Sequence, residues 1–265
     1  MTAPAIKPSE ELYSVYGRVA IITGASSGLG ARFASCLAAR GARVVLAARR
    51  TQQIERLAGE LRRQGGEALA VTCDVSLEAD VDRAVEAAID TFGRLDVLVN
   101  NAGLWFGGFA QDEDLGEFHQ VLEVNLTGTF LCSQRAGRVM LRQGKGVIIN
   151  IASILGEGSA FEASGGSVAY AASKAGVINM TRELAVQWGR SGIRVNAIAP
   201  GYFPTEMNTE MFASEERLAR IWPRTAMGRT GRPDELDGVL VFLASDASSY
   251  VTGQTIFVDG GWSAY

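Results

Sequence analysis

The sequence predicts a single α/β domain whose doubly wound parallel sheet has about seven strands, with helices on both faces. Short β-branched runs alternate along the chain with helix-length segments of 3.6-residue periodicity, the order that right-handed crossovers between parallel strands produce. The strand-like runs show little polar alternation, as strands buried on both faces do. The 265 residues, 47% of them hydrophobic, suffice for one large domain.

Charge and hydropathy exclude two classes of partner. The chain carries 25 Lys and Arg against 29 Asp and Glu, a formal net charge of -4, so it lacks the basic surface that nucleic acid or an anionic membrane requires. No apolar run reaches the roughly 20 residues of a membrane-spanning helix. We therefore expect neither nucleic acid nor a membrane as a partner.

The cysteines and the first residues indicate the compartment. Cys36, Cys73 and Cys132 are an odd number without paired spacing, which favours buried thiols in a reducing compartment over disulfides or a metal site. Residues 1–16 lack the basic flank and apolar run of a signal peptide. We expect a flexible arm over 1–16, a domain over 17–265, a cytoplasmic location and no metal.

The first predicted strand, residues 18–23, leads directly into a glycine-rich turn. The run TGASSGLG at residues 23–30 precedes a helix predicted over residues 31–40. Glycines here let the backbone approach a pyrophosphate, which the free N–H groups and dipole of the helix attract. We expect a dinucleotide to contact Gly24, Ser26, Ser27, Gly28, Leu29 and Gly30.

The second predicted strand, residues 43–47, ends where such folds select between cofactors. An NAD site would present an acid to the ribose 2′-hydroxyl, but the chain has Ala48, Arg49 and Arg50 there. Arg49 can pair with a 2′-phosphate and Arg50 can assist, so NADP(H) is preferred over NAD(H). The alternative is that both arginines are solvated before the helix predicted over residues 53–64.

The third and fourth predicted strands also end in polar residues. Asp74 and Val75 follow the strand at residues 68–72, at the edge where doubly wound sheets bind ligands. Asp74 can hold an adenine amino group or cap the helix predicted over residues 80–92. The strand at residues 95–99 leads into Asn100 and the segment that follows it.

Two further stretches carry the candidate catalytic side chains. Asn125 lies among apolar residues of a helical region predicted over residues 115–142, so it is either a structural tie or part of a polar relay. The fifth strand, residues 145–151, leads to Ser153. Tyr170 and Lys174 share one face of a helix reaching Trp188, although many solvated helices show such a pair.

The tyrosine and lysine suit proton transfer together. A tyrosine titrates near pH ~10, so acid or base work at neutral pH requires about three pKa units, roughly 4 kcal/mol, of help. Lys174 is the candidate source of it. The remaining elements are a sixth strand at 193–198, the segment from Pro200 to Thr205, a helical stretch to about Trp222, a helix at 233–244 and a seventh strand at 255–258.

From about Gly17 to Trp262 the chain closely resembles the short-chain dehydrogenase/reductase family. The likeness rests, in order, on the glycine-rich turn, Asn101-Ala102-Gly103, Asn125, Ser153, Tyr170 with Lys174, and Pro200-Gly201. It implies a single-domain Rossmann fold, hydride transfer between a nicotinamide and a ketone or secondary alcohol, and a homotetramer built through the helices that contain Asn125 and Tyr170.

The resemblance also implies roles for individual residues. Tyr170 would donate or accept the proton, Lys174 would lower the Tyr170 pKa and bind the nicotinamide ribose, and Ser153 would hold the substrate oxygen. Asn125 would hold a water that passes the proton to solvent. Further cofactor contacts would come from Asn101, Ala102 and Gly103 on the adenosine side, and from Pro200, Gly201, Phe203 and Thr205.

The substrate is predicted only as a small or medium carbonyl compound. The segment from Ala199 to Met207 looks most like gluconate 5-dehydrogenases and related sugar-acid enzymes, and 3-oxoacyl-thioester reductases share most other features. A non-catalytic NADP-binding sensor is the alternative from another class. The segment at residues 154–169 is longer than the family's usual one, and Phe161 and Glu162 could enter the pocket. Apolar walls favouring a hydrophobic ketone would come from Trp105, Phe106, Met207, Met211 and Phe212. The alternative is that each belongs to the core or to a subunit interface.

Overall fold

The computed structural model describes residues 8–159 and 166–264, and at the centre of this part of the chain is a seven-stranded parallel sheet. The strand order is β3-β2-β1-β4-β5-β6-β7, and each strand begins and ends within two residues of its predicted bounds. The strands are β1 Val19–Thr23, β2 Arg43–Ala48, β3 Ala68–Thr72, β4 Val97–Asn100, β5 Gly146–Ile151, β6 Ile193–Pro200 and β7 Thr255–Val258.

Helices connect the strands and cover both faces of the sheet. They are α1 Ser9–Leu12, α2 Gly28–Ala38, α3 Thr51–Arg63, α4 Glu78–Phe92, α5 Leu115–Leu122, α6 Gly128–Gln143, α7 Val168–Trp188, α8 Thr209–Phe212, α9 Glu215–Ile221 and α10 Asp237–Ala244. Within these described elements no helix is both long and apolar enough to cross a membrane.

Neighbouring residues of a strand point to opposite helix layers. In β1, Ile22 packs in one apolar cluster with Phe33 and Leu37 of α2, whereas Ile21 lies in a second cluster with Leu131 of α6. Because a strand alternates its side chains between the two faces, both neighbours can be apolar only in a sheet covered on both sides. The prediction of a doubly wound sheet is confirmed.

The helical region predicted over residues 115–142 is not one regular helix. A π-helical segment, Glu123–Thr127, separates α5 from α6. Inserting one residue into a helical turn widens it and redirects the side chains there. Asn125 lies in this widened turn, and its backbone carbonyl oxygen accepts a hydrogen bond from Thr129 Oγ1 at 2.7 Å. The periodicity of the sequence carries no sign of this insertion.

The described part of the predicted arm, residues 8–16, is largely exposed but makes contacts with the domain. Ser9–Leu12 form α1, Val15 is 1% exposed, and the Tyr13 ring lies 6.4 Å from that of Phe242. Val15 and Tyr13 therefore contact the domain through apolar surfaces, which composition did not reveal.

The sheet reverses its order of connection between β1 and β4. The chain runs from β1 outward to β3, then returns to place β4 against the other side of β1. Such a reversal leaves a crevice beyond the carboxyl ends of the two strands. Thr23 ends β1 and Asn100 ends β4, so the glycine-rich turn begins at this crevice.

Candidate active site

A cavity of about 580 Å³ opens at the carboxyl edge of the sheet, a size typical of small-molecule and cofactor sites. It is lined by three of the four predicted catalytic residues, Ser153, Tyr170 and Lys174. The predicted cofactor residues other than Gly30 also line it, namely Gly24, Ser26, Ser27, Gly28, Leu29, Arg49, Arg50, Asp74, Val75, Asn101, Ala102, Gly103, Pro200, Gly201, Phe203 and Thr205.

The glycine-rich turn fits the phosphates of a dinucleotide. Gly24 has φ +64°, and a Cβ added there would lie 2.8 Å from Ala102 Cα. A Cβ on Gly30 would lie 2.3 Å from the Gly24 carbonyl oxygen, so Gly30 supports the turn from behind the cavity. Ser27 precedes α2 without capping it through its side chain, which leaves N–H groups at the helix start for an anion.

Asn101 and Thr23 join the two strands that flank the crevice. The Asn101 amide donates to the carbonyl oxygens of Thr23 at 3.0 Å and Gly24 at 3.3 Å. In return, Thr23 Oγ1 accepts from the backbone N–H groups of Asn101 and Ala102, each at 3.0 Å. These bonds hold the segment after β4 against the glycine-rich turn.

The two arginines after β2 have different partners. The Arg49 side chain is exposed, and its Nη1 lies 3.9 Å from Asp74 Oδ2. Arg50 donates to the hydroxyls of both serines of the turn and, at 2.9 Å, to Glu206 Oε2. The ion pair of Arg49 with Asp74 is longer and weaker than that of Arg50 with Glu206. Arg49 is therefore the better placed of the two arginines to bind a further anion.

Asp74 does not cap α4, whose first residue follows Leu77, and its bond to an adenine amino group stays a prediction. It lines the cavity, and its Oδ1 accepts from Ser76 N at 3.0 Å and Ser76 Oγ at 2.7 Å just before α4. These bonds fix the strand-to-helix turn. Its second carboxylate oxygen faces Arg49.

Helix α7 brings the tyrosine and the lysine to the cavity together. Ser167 caps its start by accepting from Tyr170 N at 3.2 Å. Lys174, one turn later, is 4% exposed and donates from Nζ to the Ile151 carbonyl oxygen at 2.7 Å. Its Nζ lies 5.5 Å from the centroid of the Tyr170 ring. Ser153 reaches the same wall from the end of β5.

Burial sets the protonation states of this pair. It raises the pKa of Tyr170 to about 12, and hydrogen bonding with Ser153 acts in the opposite direction. It lowers the pKa of Lys174 to about 8. At neutral pH the phenol is protonated and most of the lysine is charged, as donation of a proton to a carbonyl oxygen requires. That Lys174 lowers the Tyr170 pKa stays a prediction, although 5.5 Å is within range of such an effect.

Asn125 is fully buried behind the cavity and is not one of its described lining residues. Its side-chain Nδ2 donates to Leu104 O at 2.9 Å and to Ser173 Oγ at 3.1 Å. Its side-chain Oδ1 accepts from Leu104 N at 2.7 Å. Asn125 thus ties the segment after β4 to α7 beside Lys174. These contacts are those of a structural tie, and the water relay stays a prediction.

The predicted apolar walls divide into two groups. Trp105 and Met207 line the cavity, whereas Met211 and Phe212 pack with Ile154 in a separate apolar cluster. Phe106 is absent from the described lining. Phe161 and Glu162 lie outside the described residues.

Glu206 is a lining residue that the sequence did not identify. Its carboxylate accepts hydrogen bonds from Ser27 and Arg50, and these lower the pKa of Glu206. The sequence signal that could have identified Glu206 was its position directly after Thr205, a predicted cofactor contact. Its partner Arg50 is 156 positions away, so the pairing depends on the fold.

A doubly wound sheet with a glycine-rich turn at its reversal point, and a serine, a tyrosine and a lysine across the same cavity, defines a Rossmann-type oxidoreductase. A family model described as "Enoyl-(Acyl carrier protein) reductase" matches residues 24–263. The chain belongs to the short-chain dehydrogenase/reductase family, as the sequence predicted, and the protein is an oxidoreductase of that family.

Its relatives are dehydrogenases and reductases that act on alcohol or carbonyl groups. It is 43% identical to the cis-4-hydroxycyclohexanecarboxylate dehydrogenase of Sinomonas cyclohexanicum, covering 93% of this chain and 97% of that one. It is 39% identical to a 3-oxoacyl-[acyl-carrier-protein] reductase of Synechocystis sp., covering 92% and 96%. A gluconate 5-dehydrogenase of Burkholderia cenocepacia, solved with NADP and tartrate, superposes with a TM-score of 0.93 at 36% identity, covering 97% and 100%.

Proposed function

We propose that the protein interconverts a ketone and a secondary alcohol with NADP(H), using Tyr170 as the general acid and base. One observation carries the proposal: Ser153, Tyr170 and Lys174 line the same cavity as the glycine-rich turn. The nicotinamide, when bound, supplies the hydride for reduction or accepts it in oxidation. The protein must then bind the substrate oxygen and move one proton.

The side chains on this wall divide that work. Ser153 and Tyr170 both present hydroxyls to the carbonyl oxygen, and Tyr170 gives its proton to that oxygen as the carbon receives the hydride. The Lys174 ammonium, held by the Ile151 carbonyl oxygen at 2.7 Å, stabilises the phenolate that remains. In oxidation the same phenolate takes the proton from the alcohol. Asn125 holds α7 in place through its hydrogen bond to Ser173.

Two apolar side chains that line the cavity favour a hydrophobic ketone. Trp105 and Met207 line it, and neither can satisfy several substrate hydroxyls. The alternatives are 3-oxoacyl thioesters and gluconate-type sugar acids, which the two relatives named for those substrates favour. A panel of all three substrate classes, assayed in both directions with NADPH, NADP, NADH and NAD, tests the proposal. NADPH binding without turnover of any substrate would indicate a sensor instead.

Arg49→Asp should reverse the cofactor preference. A charge-assisted hydrogen bond contributes about 1.5–3 kcal/mol, so losing it to a 2′-phosphate should weaken NADPH binding roughly 10- to 100-fold. The new carboxylate can accept from a ribose 2′-hydroxyl, so NADH binding should be unchanged or tighter. Fluorescence titration of both reduced cofactors measures the change.

Arg63→Asp is the matched control for this substitution. Arg63 is exposed at the last turn of α3, roughly 18 Å along the helix from its start. The Arg63→Asp substitution changes the net charge by the same amount, away from the cavity. The dissociation constants of NADPH and NADH should therefore stay within about twofold of wild type. An unchanged NADPH to NADH ratio in Arg49→Asp would refute the role of Arg49.

We further propose a homotetramer in the cytoplasm. Leu115 of α5, Phe130 of α6 and Val168 of α7 are exposed apolar residues, on the helices that the family uses for assembly. The three cysteines are buried and unpaired, which suits a reducing compartment. Multi-angle light scattering should give four chain masses at micromolar concentration. A single chain mass would refute the assembly.

A further inference from the structure

The start of α7 is held by a carboxylate from a distant part of the chain. Glu113, in the segment before α5, accepts through Oε2 from Val168 N at 3.1 Å and through Oε1 from Ala169 N at 3.1 Å. Ser167 Oγ lies 3.5 Å from the same Oε1. The separations are 54 to 56 positions. The contact therefore joins two segments that meet only in the folded protein.

These bonds complete the capping of the helix that carries Tyr170. The first N–H groups of a helix have no partner within it. Here Glu113 accepts from the first two, and the third, Tyr170 N–H, donates to Ser167 Oγ at 3.2 Å. A carboxylate also interacts favourably with the positive end of the helix dipole. The backbone of Tyr170 is thus fixed by a donor-to-acceptor chain that ends on Glu113.

A second contact supports the same junction. Gly108 N donates to Gly166 O at 3.2 Å, two residues before α7 begins. Glu113 and Gly108 both belong to the segment between β4 and α5, which also contributes Trp105 to the cavity. The junction thereby fixes Tyr170 relative to one wall of the cavity.

We propose that Glu113 is a positioning residue for Tyr170. This inference rests on the proposed function, in which Tyr170 transfers the proton. Glu113 is not among the described residues that line the cavity; it holds the helix start from which Tyr170 reaches the substrate. A displacement of about 1 Å at a reacting group can cost on the order of 100-fold in rate, so losing this cap should lower kcat. The glycine-rich turn and Arg49, which would hold the phosphates of the cofactor, are not part of this junction, so NADPH affinity should be preserved.

Glu113→Ala and Glu113→Gln test the proposal. Alanine removes both oxygens and should lower kcat about 10- to 100-fold, whereas glutamine retains one acceptor and should lower it about 3- to 10-fold. The NADPH dissociation constant should stay within about twofold of wild type in both. Glu117→Ala is the matched control, because Glu117 is exposed on α5 and uses its N–H, not its carboxylate, in the Asp114 cap. Its kcat should equal that of wild type.

Amide hydrogen exchange separates this inference from the proposed function. In Glu113→Ala, exchange at Val168 and Ala169 should accelerate at least about tenfold while the amides of β1 stay protected. Should the alanine variant fail to fold, Glu113→Gln provides the same readouts. Wild-type kcat in both variants, parallel changes in kcat and NADPH affinity, or unchanged exchange would each overturn the inference. If the wild-type protein turned over no substrate, the proposed function would be refuted, and the positioning role with it, even where Glu113→Ala exchanged faster.

Discussion

Tyr170→Phe should lower kcat/KM for ketone reduction by about 10²- to 10⁴-fold, the range for losing a general acid. The phenylalanine ring keeps the packing of α7 but has no proton to give. Ser153 cannot replace it, because an alcohol is a far weaker acid than a phenol. NADPH affinity should be nearly unchanged, since the glycine-rich turn and Arg49 are intact. Stopped-flow turnover and fluorescence titration measure the two quantities.

Tyr250→Phe is the matched control for this change. Tyr250 is fully exposed, so removing its hydroxyl should alter neither turnover nor folding. If Tyr170→Phe reduced ketones at the wild-type rate, Tyr170 could not be the proton donor. A parallel loss of NADPH binding would instead point to a collapse of the cavity.

The pH dependence of alcohol oxidation should also report the protonation state of Tyr170. Burial raises the Tyr170 pKa to about 12, so the phenolate needed as a base is scarce at neutral pH and increases as the pH rises. Alcohol oxidation should consequently accelerate with pH, whereas ketone reduction should not.

The sheet could be predicted from the sequence because its signals are local. The run at residues 19–22 is apolar, a glycine-rich turn follows Thr23, and strand-like runs alternate with helix-length segments along the chain. Tyr170 and Lys174 were likewise predictable as a pair, since four residues make one helical turn. Their common cavity with Ser153 followed from the rule that parallel strands end at one edge.

The remaining features depend on contacts between distant residues. Glu113 and Val168 are 55 positions apart, and Arg50 and Glu206 are 156 apart, and no periodicity links either pair. The π-helical turn at Asn125 was hidden because one inserted residue barely alters an apolar pattern. The pKa direction of Tyr170 was also inaccessible, because it is set by how deeply the fold buries the phenol.

Lys174→Met should lower ketone reduction about 100-fold with little change in stability. A unit charge 5.5 Å from the ring centroid, at an effective dielectric constant of about 20, stabilises the phenolate by about 3 kcal/mol. Methionine fills similar space without that charge. Wild-type kcat/KM should also fall above pH 8, because the pKa of Lys174 is about 8. The variant should lack this decline.

Stability distinguishes a lost charge from a lost fold. The folded-state pKa of Lys174, about 8, lies below its ordinary 10.5, so burying the ammonium destabilises the fold below pH 8 by on the order of 3 kcal/mol. This cost is relieved as the pH rises from 8 to 10.5. Methionine removes the cost but leaves the Ile151 carbonyl oxygen without its donor, a loss of about 1–3 kcal/mol. The two effects offset each other, and Tm at pH 7 should move by only a few degrees.

Lys145→Met is the control for Lys174→Met. Lys145 is exposed and pairs with Asp246 at 3.3 Å, so its loss should change neither the rate nor its pH dependence. If Lys174→Met kept the decline above pH 8, another group would be responsible for it. If the variant kept the wild-type rate, the phenolate would not need a cation. A normal Tm and an unchanged NADPH dissociation constant, combined with a 100-fold slower, pH-independent reduction, is the result that an electrostatic role of Lys174 predicts and a ribose-binding role does not.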